Sequence, residues 1–272
     1  GQTVTLTDNG TTLGTAIVQA DGSFSATVTL PNQGANSIVA TVTDSLGSTG
    51  TSAAVVDTLD NIAPTVTITS APEPGNAGAQ TISGLVASGG TATVTGQTVT
   101  LTDNGISLGT AIVQSNGSFS TSVTLPGQAN NAIMASVTDS YGNTNNTYLV
   151  TTGSGQIEIN AQQGTGTTNN LDFTGSVTDQ NLWFLQSGNN LQIDILGTST
   201  SATIDNWFSS SSPDQLQEIE AGGLKIDSQL SQLVQAMATY SSNNPGYDPA
   251  SSGTSMPNDS NLQSAIAAAW HS

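Results

Sequence analysis

The chain of 272 residues carries 19 Asp and Glu against one basic side chain, Lys225, for a formal net charge of −18, and it contains no cysteine. A surface so acidic repels nucleic acid and anionic lipid and attracts cations, and the lack of thiols excludes disulfides while leaving the redox compartment open. Apolar residues make up 35% and are periodically spaced, the mark of a folded chain, and no apolar run approaches the ~20 residues a membrane-spanning helix needs.

GQTVTLTDNG, LGTAIVQ, GSF, VTLP and VTDS occur twice in the same order at a constant offset of 95 positions, so that Gly1, Asp8, Phe24 and Asp44 return as Gly96, Asp103, Phe119 and Asp139. Such a period is too long for a solenoid unit of ~20–50 residues and suits a whole bead of ~100, the size of an immunoglobulin-like sandwich. In the first copy, Val4 and Leu6, then Phe24, Ala26, Val28 and Leu30, then Ile38, Ala40 and Val42 alternate with polar residues at the period of half-buried strands. Asp8-Asn9-Gly10, Asp21-Gly22 and Leu46-Gly47 supply the turns between them. The second copy repeats these phases, and two strand-like runs precede it that the first copy lacks, Ala63 to Thr69 and Thr81 to Val86. The expected organisation is mainly β: a partial Ig-like bead over residues 1–57 without its first two strands, a linker over 58–62, and a complete antiparallel sandwich over 63–152. A sandwich short of two strands has a part-open core and exposed edges, so the first bead is expected to be the least stable region. With an incomplete first bead and no initiator Met, the chain reads as the C-terminal end of a longer protein.

The order APTVTIT, TISG, GQTVTLTDNG, LGTA, GSFS, VTLP and VTDS-x-GNT resembles the bacterial Ig-like repeats of very large secreted adhesins, over residues 1–152. The resemblance implies a stalk, display outside the cell or on the bacterial surface, and calcium at the junctions between beads.

After residue 152 a second series of short strands begins, carrying Leu182, Phe184, Leu191, Ile193, Ile195, Ile204 and the pair Trp207-Phe208, as a small β-roll or meander over 153–227 needs. LWF, GNNLQIDILG and IDNWF make this stretch similar to the domain that follows calcium-binding repeats in RTX-type exported proteins, although the nonapeptide that supplies calcium there is absent and Gly164-Thr165-Gly166 is at best a trace of it. Leu230, Leu233, Val234 and Met237 then fall at helical spacing behind a cap at Asp227 or Ser228, giving a helix over 228–241. Residues 242–257 hold three prolines among Ser, Asn and Gly and read as a mobile linker. A last helix over 258–272, capped by Asp259 or Ser260, repeats the spacing at Leu262, Ala265, Ile266, Ala269 and Trp270. LVQAMATY, NPGYDP and LQSAIAAAWHS resemble the tails of large proteins exported by type I secretion. That implies the type I secretion machinery as partner, with the signal in the last helix, and no insertion into the membrane.

Chemistry is sparse. The single histidine, His271, is the penultimate residue of what reads as a mobile tail, so neither a Ser-His-Asp triad nor an ordinary zinc site can be assembled in the body, and the chain is expected not to be an enzyme. Asp214, Glu218 and Glu220 are close in sequence, but carboxylates beside a Ser-rich turn are ordinarily solvated. Adjacent strand residues face opposite ways, so one of each pair Trp183-Phe184 and Trp207-Phe208 is expected in the core, and a structural role is favoured for these rings over stacking on a carbohydrate or other cell-surface ligand, whose identity the sequence leaves open. Calcium, with its six to eight oxygen ligands, is the cofactor the acidic residues suit. Asp57 and Asp60 flank the linker, and Asp8, Asp44, Asp103 and Asp139 recur at bead ends, where aspartate also initiates turns without any metal. Two readings of the whole remain: the stalk and export region of a repeat adhesin, or the accessory region of a secreted hydrolase whose catalytic domain lies upstream.

Overall fold

A computed structural model describes residues 1–70, 79–125, 131–161, 164–210, 216–226 and 229–272. Among these the chain is mainly β with two C-terminal helices, and it divides into two compact bodies: Gly1–Ile62 with Gly90–Ala92, and Ala63–Gly89 with Thr93–Ser272.

The first body is a single antiparallel sheet of β1 (Thr3–Asp8), β2 (Thr11–Ile17), β3 (Gly34–Thr43), β4 (Thr49–Thr51) and β5 (Val55–Leu59), in the order β2-β1-β3-β4 with β5 also paired to β3. The β1–β2 hairpin turns on Asn9 (φ 46°) and Gly10 (φ 88°), two successive left-handed residues that an Asn-Gly pair tolerates and most residues do not. Val4, Leu6 and Ala16 are buried, whereas Ile38, Ala40 and Val42 are only half-buried. Val28 lies against β2, with a methyl 3.4 Å from the place a Cβ on Gly14 would take, yet residues 23–30 form no strand, and Phe24 is 42% exposed. The expected linker at 58–62 is shorter, because Asn36, Ala35 and Gly34 of β3 pair with Asp57, Thr58 and Leu59 and carry the strand to residue 59.

The second body begins with a β-sandwich. β6 (Thr65–Ser70), β7 (Ala79–Ala87) and β10 (Ser118–Thr124) form one sheet in the order β10-β7-β6. Facing it are β8 (Thr98–Asp103), β9 (Ile106–Ile112), β11 (Ile133–Thr138) and β12 (Thr144–Val150) of a seven-stranded sheet. Val66, Ile82, Val99, Leu101, Phe119, Ala135 and Val137 fill the space between the sheets. The strand that contains Phe119 exists because β7 lies beside it, in the register Phe119↔Gly84. The ring sits so close to Gly84 that a Cβ there would stand 2.6 Å from it. Among the described residues no strand is paired with residues 23–30 of the first body.

The seven-stranded sheet does not stop where the repeat ends. β13 (Gln156–Ile159) leaves for another sheet, but β14 (Thr167–Phe173) returns to pair parallel with β12 from Thr144↔Thr167 to Val150↔Phe173, and β18 (Glu218–Ala221) and β19 (Leu224–Ile226) extend it to the order β19-β18-β14-β12-β11-β8-β9. A four-stranded sheet, β13-β17-β16-β15, is built with β15 (Leu182–Ser187), β16 (Asn190–Ile195) and β17 (Ser201–Ile204). Val150, Leu171, Phe184, Ile193, Leu233 and Met237 belong to the core shared by these sheets and the helices.

α1 (Leu230–Asn243) and α2 (Ser260–Ala269) face that core with the expected apolar residues. Asp259 caps α2 by accepting from the N–H groups of Asn261 and Leu262, while Asp227 and Ser228 lie outside the described residues. Two expectations are corrected. Residues 242–257 are a fastened strap: the Tyr247 ring lies 4.6 Å from Trp183, Pro249 O accepts from Gly197 N, Asn181 Nδ2 donates to Thr254 O, and Met256 is buried. Trp183 and Phe184 are both buried, because β15 is covered on both faces, by the strap and Tyr240 on the Trp183 side and by Trp270 near Phe184.

Candidate functional sites

The six aspartates singled out for calcium are occupied by nitrogen donors. Asp44 Oδ1 accepts from the N–H groups of Leu46 and Ser48, both at 2.9 Å, which closes the turn after β3. Asp139 does the same for Tyr141 and Asn143 at 2.8 and 3.0 Å, with the Asn143 amide on its other oxygen. Asp8, 1% exposed at the end of β1, accepts from Ser37 N at 2.7 Å and Asn32 Nδ2 at 2.8 Å, pinning the approach to β3. Asp103 accepts from Ala132 N at 2.8 Å and Asn104 Nδ2 at 3.0 Å. Burial pushes the Asp103 carboxyl above its usual range against the pull of the Ala132 N–H.

Asp57 and Asp60, expected to share a cation, are held apart by different tasks. Asp57 is exposed in β5 and its Oδ1 accepts from Thr58 N at 2.9 Å. Asp60 is buried in a cradle of backbone donors: Oδ2 accepts from Thr91 N and Ala92 N, both at 2.6 Å, and Oδ1 from Ile62 N at 3.1 Å, with Gln33 Nε2 at 3.3 Å. Burial alone would raise its pKa, but the N–H groups of Ile62, Ala92 and Thr91 outweigh that and hold it below the usual carboxylate value. Gly90 makes the cradle, since a Cβ there would lie 2.2 Å from Asp60 Oδ1. Calcium needs several converging oxygens, and among the described residues no group of three or more Asp, Glu, His or Cys side chains is placed to hold a metal. In this structure the oxygens of these aspartates accept from the N–H groups that close turns and fix loops.

Sequence reasoning missed Asp172. β14 and β18 put it opposite Glu220, and Glu220 in turn stands opposite Lys225. Lys225 Nζ bonds Glu218 Oε1 at 2.8 Å and lies 3.9 Å from Glu220 Oε2. Burial, then the charges of Glu220 and Glu218, raise the Asp172 carboxyl to about 7, so it is substantially protonated at neutral pH. A lone charged residue between Leu171 and Phe173 was the available signal, but its neighbours are set by parallel pairing that no local pattern announces. Asp214 lies outside the described residues. His271 is not in a loose tail: its backbone exchanges hydrogen bonds with Lys225, at 2.8 and 3.1 Å, and adds a short bridge to β19.

A cleft of about 580 Å3 beside α1 is lined by Trp183, Leu185, Gln186, Phe208, Gln235 and Pro249 among others. Trp183 is 2% exposed and its ring is taken up by Tyr240 and Tyr247, so it offers no open face for a sugar to stack on. Trp207 and Phe208 are half-buried against the same core.

No family model matches this chain, and no curated protein matches it. Among solved structures it is similar to the fibronectin(III)-like modules of CbhA from Clostridium thermocellum, at 15% identity over 54% of this chain and 75% of that one, with a TM-score of 0.31. The β-sandwich assignment rests on the two facing sheets and the core between them.

Proposed function

We propose that this chain is a non-catalytic region of a secreted bacterial repeat adhesin, in which the Ig-like copies act as extracellular stalk and the C-terminal part directs export by type I secretion. The observation that supports this best is the 95-residue repeat of a β-sandwich unit, since copies of one bead set length and carry no chemistry of their own. The occupied carboxylates, and a single histidine tied by its backbone to Lys225, agree with a scaffold role.

In the folded chain Leu262, Ile266, Ala269 and Trp270 are buried, so the apolar face of α2 is available to an exporter only before folding. Deleting residues 258–272 is expected to retain the protein in a producing cell. Trp270→Ala, which weakens the fold but keeps the segment, is expected to be exported. Export of the deleted chain at the normal level would overturn the assignment of the signal.

A further inference from the structure

The turn that leads into β10 is Asn116-Gly117-Ser118, and the duplicate copy has Asp21-Gly22-Ser23 in its place. The two backbones are held alike. Gly117 N donates to Gln114 O at 2.9 Å and Gln114 N to Ser118 O at 2.8 Å, as Gly22 N donates to Gln19 O at 3.0 Å and Gln19 N to Ser23 O at 2.7 Å. The side-chain oxygens are held alike too: exposed Asn116 Oδ1 accepts from Ser118 N at 3.0 Å and Ser118 Oγ at 2.7 Å, and Asp21 Oδ1 from Ser23 N at 3.0 Å and Ser23 Oγ at 2.8 Å. The N–H and then the hydroxyl of Ser23 hold the Asp21 carboxyl below its usual range, so this pair of donors favours negative charge on the oxygen it binds. Glycine is required at 117, where φ is 81° and a Cβ would stand 2.7 Å from Val86 O.

We propose that Asn116-Gly117 is a self-modifying site, at which the asparagine loses ammonia and becomes aspartate with water as co-reactant. Solvent hydroxide takes the proton of Gly117 N, which gives up its bond to Gln114 O and attacks Asn116 Cγ. The negative charge falls on Oδ1, between the two Ser118 donors, which act as an oxyanion site. The Cγ–Nδ2 bond then breaks, Nδ2 leaves as ammonia with a proton from water, which regenerates hydroxide, and a five-membered imide remains. Water opens the imide. Addition at Cγ breaks the new Cγ–N bond, returns a proton to the Gly117 nitrogen and leaves an ordinary Asp at 116; addition at the main-chain carbonyl leaves the chain running through the side chain. The first product already exists in the fold as Asp21, in the same hydrogen bonds. The second lengthens the main chain beside Gly117, whose O accepts from Val86 N at 2.8 Å, and so disturbs the pairing of β10 with β7. The other two Asn-Gly pairs, Asn9-Gly10 and Asn104-Gly105, are left-handed at the asparagine and donate the side-chain NH2 to Asp8 and Asp103 at 3.1 and 3.0 Å. That sets a carboxylate beside the carbonyl that would have to take up negative charge, which slows the same step there.

The test incubates the whole 272-residue protein, folded or unfolded in urea, in mildly alkaline buffer and follows each Asn-Gly pair by peptide mass mapping. In the folded protein Asn116 is expected to convert at least about fivefold faster than Asn9 or Asn104, and in urea the three rates are expected to converge. Ser118→Ala, which removes one of the two donors to Oδ1, is expected to slow Asn116 at least about threefold in the folded protein and to leave its rate in urea unchanged. Asn116→Asp is expected to keep the parent's denaturation midpoint. An order of rates that persists in urea would be a property of the dipeptide and would overturn the proposal. So would Asn9 or Asn104 converting as fast as Asn116 in the folded protein, an unchanged rate in Ser118→Ala, or a lowered midpoint in Asn116→Asp.

Discussion

Asp57 and Asp60 are three positions apart and have opposite surroundings, one on the outer face of a strand and the other inside a ring of N–H donors. The Asp60 carboxylate satisfies backbone groups that would otherwise be buried without partners, so Asp60→Asn, which turns an NH2 toward those donors, is expected to cost the first body about 1–3 kcal/mol. Gly90→Ala is expected to cost a similar amount by driving a methyl into the carboxylate. Both show as a lower melting temperature of the first body, and millimolar calcium should move neither the parent nor the variants. A calcium-dependent rise in the parent would mean that oxygen ligands assemble there after all. Asp172 gives a pH dependence of definite sign. Its folded pKa of about 7 lies above the ordinary 3.8, so between those values the folded state holds the proton more tightly, and stability falls as pH rises through that window. Denaturation midpoints of the second body are expected to drop from pH 4 to pH 7 and then level off. In Asp172→Asn the part of the slope that belongs to this carboxyl disappears, and a variant with the parent's slope would remove Asp172 from the account.

Phe24 and Phe119 stand in the same Gly-Ser-Phe-Ser run, and in this structure a strand lies alongside Phe119 and none alongside Phe24. Truncating Phe119, fully enclosed between two sheets, is expected to cost ~3–5 kcal/mol. Phe24→Ala is expected to cost on the order of 1 kcal/mol or less, because the ring keeps 42% of its surface in water. Chemical denaturation of the two variants in the full chain, read by hydrogen exchange within each body, distinguishes them; equal losses would show the first body closed. Much of this was legible in the sequence, because period-two alternation and Asn-Gly turns are local signals, and comparing the two copies exposes the missing strands. The strap over residues 242–257 was not legible. Proline, serine and glycine describe a backbone that need not be regular, and only the Trp183 ring, some sixty residues earlier, decides that Tyr247 has somewhere to pack. Tyr247→Ala is therefore expected to make the strap a site of limited proteolysis, whereas the parent resists. Rapid cleavage of the parent there would restore the reading of a mobile linker.

At the scale of the molecule, the end of the repeat at residue 152 looks like a domain boundary because the sequence pattern changes there, yet the hydrogen bonding runs straight through it. β12 is the last strand of the repeat and is also the strand on which β14 is laid, parallel and in register over seven residues. Its side chains serve two cores, Leu149 pointing into the sandwich and Val150 into the C-terminal core. Parallel pairing between segments separated by β13 leaves no local trace, which is why composition divides what the sheet joins. A fragment of residues 63–152 would turn β12 into an edge strand and expose Tyr148 and Val150, so it is expected to melt well below the same sandwich in a fragment of residues 63–272 and to aggregate more readily. In the longer fragment, the sandwich and the C-terminal part should unfold in a single calorimetric transition. Two separate transitions, with the sandwich melting at the same temperature in both fragments, would show that the shared sheet does not couple them.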